Sequence, residues 1–139
     1  MRKNDPIKHI MSDHIHTVQQ GQAVSAVFKI VHDHGIHHVP IMDGKKLVGI
    51  VSSTDLMKLN MGSQGMDSAN SWSYLDSQYQ LIDVMTENPK TLNDHSVVRD
   101  AAEALSSGDY HSLPVVNADR ELIGIVTSTD LIRYLCEQY

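Results

Sequence analysis

The sequence has a single cysteine, no apolar run near membrane-spanning length, and too little positive charge to offset its acidic residues. Each shortage excludes something. Cys136 alone can form no intrachain disulfide, so a reducing, cytoplasmic setting is expected and its thiol reads as a passive side chain. Without a stretch of roughly 20 apolar residues, no membrane span is expected. The opening residues, Met1-Arg2-Lys3-Asn4-Asp5-Pro6, lack the apolar segment of a secretory signal. The 11 Lys and Arg against 17 Asp and Glu leave a formal charge of -6. That balance argues against a general nucleic-acid or anionic-membrane partner, although it leaves room for a local anion site.

What the chain does contain is a repetition. Gly49-Ile50-Val51-Ser52-Ser53-Thr54-Asp55-Leu56 returns as Gly124-Ile125-Val126-Thr127-Ser128-Thr129-Asp130-Leu131. Upstream, His37-His38-Val39-Pro40 is matched by His111-Ser112-Leu113-Pro114. Met11 and Met85, Thr17 and Thr91, and Val24 and Val98 share the same spacing of 74 positions. The spacing is 75 by Gly49 and Gly124, so one extra residue lies in the second copy, in the turn Asn117 to Glu121. A period of this length means two similar units. A unit of roughly 60 residues is marginal alone, which favours two units packed as a pseudo-two-fold pair. The boundaries are 7–59 for the first repeat, 60–80 for the connection and 81–135 for the second.

Within each copy the hydrophobic period changes in a fixed order. Thr17-Val18 and Thr91-Leu92 read as short extended pieces. Val24, Val27, Phe28 and Val31 follow an i, i+3, i+4, i+7 stripe, which predicts an amphipathic helix, and Val98, Ala101, Ala102 and Leu105 repeat it. Ser96 stands as an N-cap, while Gly35 and Gly108 mark where the helices end. His38 to Met42 and Ser112 to Val116 read as strands with an early proline, and Asp43-Gly44 as a hairpin turn. Leu47 to Val51 and Leu122 to Val126 are nearly continuous apolar runs, which predicts strands buried on both faces. Short helices are expected over 54–59 and 129–136. The fold class is therefore α+β (mixed α/β), as two tandem β-α-β-β-α repeats. The connection is polar; its start reads as a flexible linker and its end, Trp72 to Tyr79, as a segment that docks on the domain or on a partner.

Taken in order and twice over, these elements resemble a tandem pair of cystathionine-β-synthase (CBS) domains, a Bateman module. Ile10-Met11-Ser12 and Val84-Met85-Thr86, the two extended pieces, the Val39-Pro40 and Leu113-Pro114 strands, and the two Gly-Ile-Val-Ser/Thr-x-Thr-Asp-Leu segments carry the resemblance, from about Ile7 to Tyr134. It implies two units packed through their sheets with clefts between them that take AMP, ADP, ATP or S-adenosylmethionine. It also implies disc-like homodimers and a regulated partner protein. Little sequence remains outside the repeats, so a stand-alone module is expected.

Ser52-x-x-Asp55 and Thr127-x-x-Asp130 admit two readings. Either is a capping box that satisfies N–H groups at a helix start. The same geometry offers phosphate a helix N-terminus and offers ribose hydroxyls a carboxylate. The resemblance assigns the ribose to Asp55 and Asp130, and ribose or phosphate contacts to Ser52, Thr54, Thr127 and Thr129. It places His37 and His111 as phosphate-facing, at positions matching those in the γ subunit of AMP-activated protein kinase. The arginine that follows there is His38 and Ser112 here, with Lys58 and Arg133 as alternative cations. Thr17, Val18, Val39, Thr91, Leu92 and Leu113 are implied to line an adenine slot. Nine histidines raise a metal alternative, centred on His14, His16, His32, His34, His37 and His38, but four convergent ligands are not evident and no metal site is assigned. No nucleophile–base pair or paired-carboxylate site is evident, so no catalytic residue and no required cofactor are assigned. The sequence thus reads as a regulatory module for adenosyl ligands. A ligand-independent dimerisation scaffold is the alternative.

Overall fold

The computed structural model describes residues 4–60 and 68–139. After a 3-10 turn at Ile7–His9, the elements are β1 (Val18–Gln19), α1 (Val24–His34), β2 (His38–Asp43), β3 (Lys46–Ser52), α2 (Ser53–Asn60) and α3 (Ser68–Gln78). They continue with α4 (Leu81–Val84), β4 (Thr86–Glu87), β5 (Leu92–Asn93), α5 (Val98–Leu105), β6 (Ser112–Val116), β7 (Leu122–Thr127) and α6 (Ser128–Gln138). The expected strand-helix-strand-strand-helix order is present twice.

The chain divides into two compact units, and these do not follow the repeat boundaries. One unit holds His16–Asn88; the other joins the residues up to Ile15 to Pro89–Tyr139. Each repeat has given its opening segment to the other. In the His16–Asn88 unit, four strands run in the order β1-β2-β3-β4, and β4 adds to the sheet through Gly49↔Glu87 and Ile50↔Thr86. In the other unit, β5-β6-β7 form a three-stranded sheet. Ser12 extends it by a bridge to Ile125, with two backbone hydrogen bonds of 2.9 Å.

The two methionines and two glycines of the repeat seat the exchanged segments. Met85 lies on Gly49, where an added Cβ would stand 2.5 Å from its sulfur and 3.1 Å from the Thr86 carbonyl oxygen. Met11 lies on Gly124 in the same way. Only a strand residue without a side chain admits so close a neighbour.

Each unit has its own core. Val18, Val24, Val27, Val39, Ile41, Val51, Leu56 and Leu81 form one, and Ile7, Leu92, Ala101, Leu105, Leu113, Val115 and Val126 form the other. The helical stripe therefore faces inward as its spacing requires, with Val24 and Val27 fully buried. Gly35 ends α1 in the left-handed conformation, at φ 63°. Pro40 pairs only with β3, because β1 reaches no further than Ile41 and Met42, and this is why a proline is tolerated inside the sheet.

Several sequence expectations are corrected. The strand β3 is not buried on both faces, since Val48 and Ile50 are only partly covered, whereas β7 is partly covered at Leu122 and Ile123 and buried on both faces over Gly124 to Val126. Ser96 does not cap α5. Its hydroxyl instead accepts the Asn93 N–H at 3.1 Å, and the cap residue is Val97, whose N–H donates to Asp100 Oδ2 at 2.8 Å. The α5 helix ends at Leu105, three residues before Gly108. The end of the connection, expected to dock, does so as a helix that the sequence pattern did not indicate. Here Leu75 is fully buried, and the Asp76 carboxylate accepts both the N–H (2.8 Å) and the hydroxyl (2.6 Å) of Ser25 in the first turn of α1. Most of the start of the connection, expected as a flexible linker, lies outside the described residues, as does the side chain of Trp72.

Candidate functional site

The matched motifs stand where β3 runs into α2 and β7 into α6. At both places the strand ends on a hydroxyl residue, and the helix opens with Ser-Thr-Asp. In the first copy, the Ser52 N–H donates to Asp55 Oδ2 at 2.9 Å and the Asp55 N–H returns to Ser52 Oγ at 3.1 Å. In the second, the Thr127 N–H donates to Asp130 Oδ2 at 2.8 Å and the Asp130 N–H to Thr127 Oγ1 at 3.3 Å. Both are capping boxes, so the structural reading of the motif holds.

The boxes leave capacity over. The Ser53 N–H donates to the His37 carbonyl at 2.8 Å, and the Ser128 N–H to the His111 carbonyl at 3.2 Å. Among the described residues, the N–H groups of Thr54 and Thr129 have no partner. Each helix thus begins with one open donor at the positive end of its dipole, which suits an anion. Beside that donor stands a carboxylate that has committed Oδ2 to the cap. The other oxygen differs between copies. Asp55 Oδ1 has no partner among the described residues, whereas Asp130 Oδ1 receives Arg133 Nη1 at 3.5 Å.

The remaining candidates divide by exposure. The His37 ring is exposed, with Nδ1 3.4 Å from the Ser53 hydroxyl, and His111 is exposed beside the second helix start. Thr17, Thr54 and Thr129 are also exposed, and Thr91 is partly so. Val18, Val39, Leu92 and Leu113 are side chains of the two cores, and Val39 and Leu113 are fully buried. Their side chains fill the units, so any contact with a base falls to nearby backbone. Ser53 and Ser128 were not singled out from the sequence, although their occurrence at matched positions was a usable signal.

Among the described residues no group of three or more His, Cys, Asp or Glu could hold a metal ion. His16 and His34 instead stack ring on ring, with centroids 3.9 Å apart and planes 17° from parallel. Stacked rings do not aim their nitrogens at a common ion. No helix among the described residues is long and apolar enough to cross a membrane.

Comparison with known proteins agrees with this architecture. The crystal structure of CBSX2, a CBS-pair protein from Arabidopsis thaliana, in complex with AMP is 27% identical, has a TM-score of 0.79, and is matched over 96% of this chain and 98% of that one. The CBS domain pair of protein MJ0100, solved with 5′-methylthioadenosine and S-adenosyl-L-methionine, is 28% identical with a TM-score of 0.78, over 96% and 98% of the two chains. Homoserine O-acetyltransferase of Methanohalobium evestigatum is 32% identical over 94% of this chain, yet the match spans only 24% of that enzyme. The full-length chloroplastic CBSX2 is matched over 58% of its length. The relatives with enzyme names thus carry the matching region as a small part of a longer chain. The model of the CBS domain matches twice, at residues 7–62 and 81–137, and the chain belongs to the CBS-domain family.

Proposed function

We propose that this chain is a regulatory module that binds an adenosyl compound, AMP, ADP, ATP or S-adenosylmethionine, and reports its occupancy to a partner protein. The observation that carries the reading is the doubled helix start, which sets an open N–H at Thr54 or Thr129 beside a carboxylate at Asp55 or Asp130. A phosphate or other anionic group suits the first and a ribose diol the second. Relatives of the same fold crystallised with AMP and with S-adenosylmethionine support it. In this reading His37, with Nδ1 3.4 Å from the Ser53 hydroxyl, and its counterpart His111 serve the phosphate, and backbone near Thr17, Thr91, Val39 and Leu113 serves the base. The module performs no catalysis and needs no cofactor; its ligand is regulatory, and its setting is cytoplasmic. Ligand bound to the folded state alone stabilises it by about 2.7 kcal/mol at 100-fold excess over Kd. Calorimetric titration with the four compounds, alongside thermal melts, tests this. Heat and a raised melting temperature with at least one are expected, and silence from all four would sink the reading.

One observation favours pairing of two copies, as a part of this function or, in the scaffold reading, as the whole of it. Between α5 and α6 runs an apolar groove of about 610 Å³, lined by Val98, Ala102, Leu105, Leu131, Ile132 and Leu135. Ile132 is 60% exposed and Leu135 42%. On α5, Arg99 and Glu103 form an exposed ion pair at 2.9 Å. An antiparallel crossing of two α5 helices sets each Arg99 against the other copy's Glu103, the self-complementarity a two-fold interface needs. Ile132→Asp is expected to convert a dimer to monomer in light scattering. A wild-type monomer at high concentration would contradict the pairing.

A further inference from the structure

We propose that Arg133 makes the second motif selective for adenosyl ligands that carry a phosphate, while the first motif accepts ligands with or without one. The inference rests on the function proposed above and concerns the difference between the two copies. Both aspartates spend Oδ2 on the helix cap. Asp55 keeps Oδ1 open, and Lys58, which occupies the place of Arg133, makes no ion pair among the described residues. Asp130 has Oδ1 occupied by the Arg133 guanidinium at 3.5 Å.

A ribose diol needs that second carboxylate oxygen as an acceptor. At Asp55 it finds it free. At Asp130 it must first displace Arg133, whose side chain is 66% exposed and therefore able to swing away. The displaced cation stays on the second turn of α6, four residues on from Thr129 and its open N–H. A phosphate there restores to the guanidinium what it lost, since guanidinium and phosphate pair well. Adenosine restores nothing. Arg133 thus exchanges one anion for another when a nucleotide binds, and obstructs when a nucleoside does. An exposed ion pair commands about two- to five-fold in affinity, which sets the size of each effect.

The test isolates each motif. In Asp55→Ala protein, which retains the second motif, AMP and adenosine affinities are measured by titration with Arg133 intact, Arg133→Ala and Arg133→Lys. With Arg133, AMP is expected to bind at least about five-fold more tightly than adenosine. Arg133→Ala should weaken AMP, strengthen adenosine by about two- to five-fold, and so collapse the ratio; Arg133→Lys, which reproduces the first motif's Lys58, should also lower the ratio while keeping the charge. In Asp130→Ala protein the same Arg133 substitutions should leave the ratio unchanged. A general structural defect would move both ligands together, which the ratio distinguishes. An unchanged ratio in the Asp55→Ala background overturns the proposal and leaves the proposed function standing, as does loss of all binding on Asp55→Ala alone. If the wild-type protein binds neither compound nor the other adenosyl ligands, the proposed function itself falls and this inference with it.

Discussion

Gly49→Ala should destabilise the His16–Asn88 unit although it adds one methyl group to a strand. The added Cβ meets Met85 Sδ at 2.5 Å, its Cγ at 3.0 Å and the Thr86 carbonyl oxygen at 3.1 Å. The thioether can rotate away, but Thr86 is held by pairing with Ile50 and cannot yield cheaply. Overpacking of this kind costs about 1–3 kcal/mol. Replacing glycine also removes backbone freedom from the unfolded chain, a gain of about 0.4–1 kcal/mol. The net loss is thus about 0.5–2 kcal/mol by urea denaturation. The double variant Gly49→Ala/Met85→Ala supplies the sharper reading, because the new methyl then occupies part of the space the thioether leaves. The two substitutions should be non-additive by about 1 kcal/mol in the compensating direction. Hydrogen exchange should show lost protection across 81–88, the segment that reaches β3 from the second repeat. Strict additivity, or a single variant as stable as the parent, would refute the view that glycine and methionine lock the exchanged segment in place.

Four further substitutions test named contacts. Leu75→Ala should cost about 2–4 kcal/mol, since the side chain is fully buried, and Asp76→Ala about 1 kcal/mol through loss of both bonds to Ser25; both should raise hydrogen exchange at the start of α1. Thr127→Ala removes the side-chain cap of α6 and should lower stability by about 1 kcal/mol in denaturant melts. Tyr134→Phe should cost about 1 kcal/mol by breaking the hydrogen bond from its hydroxyl to Asp5, which ties the N-terminal segment to α6.

The parts of the fold legible in the sequence are those fixed by local pattern. The Val24-Val27-Phe28-Val31 stripe, the Asp43-Gly44 turn and the Ser/Thr-x-x-Asp caps each act within a few residues, so their spacing alone places them. The exchange of opening segments was not legible, because Met11 matches Met85 and Gly49 matches Gly124 whichever methionine meets which glycine. The α3 helix was hidden for a related reason. Its sequence is largely polar, and it is held by Leu75 and by an Asp76 carboxylate that reaches 51 positions back to Ser25. Ser96 was misassigned because a hydroxyl near a helix start serves a turn as readily as a cap. At the candidate site the residue types were legible from the repeat. The occupation of Asp130 by Arg133, against the open Asp55, depends on which way a long side chain turns, and no spacing rule encodes that.

The central claim is that Asp55 and Asp130 hold an adenosyl ligand rather than only capping two helices. Titration of the wild-type protein and of the Asp55→Ala/Asp130→Ala double variant with AMP and S-adenosylmethionine tests it most directly, with light scattering on both proteins. The account predicts binding by the wild type, its loss in the double variant, and an unchanged assembly state. Undiminished binding by a folded double variant would contradict it.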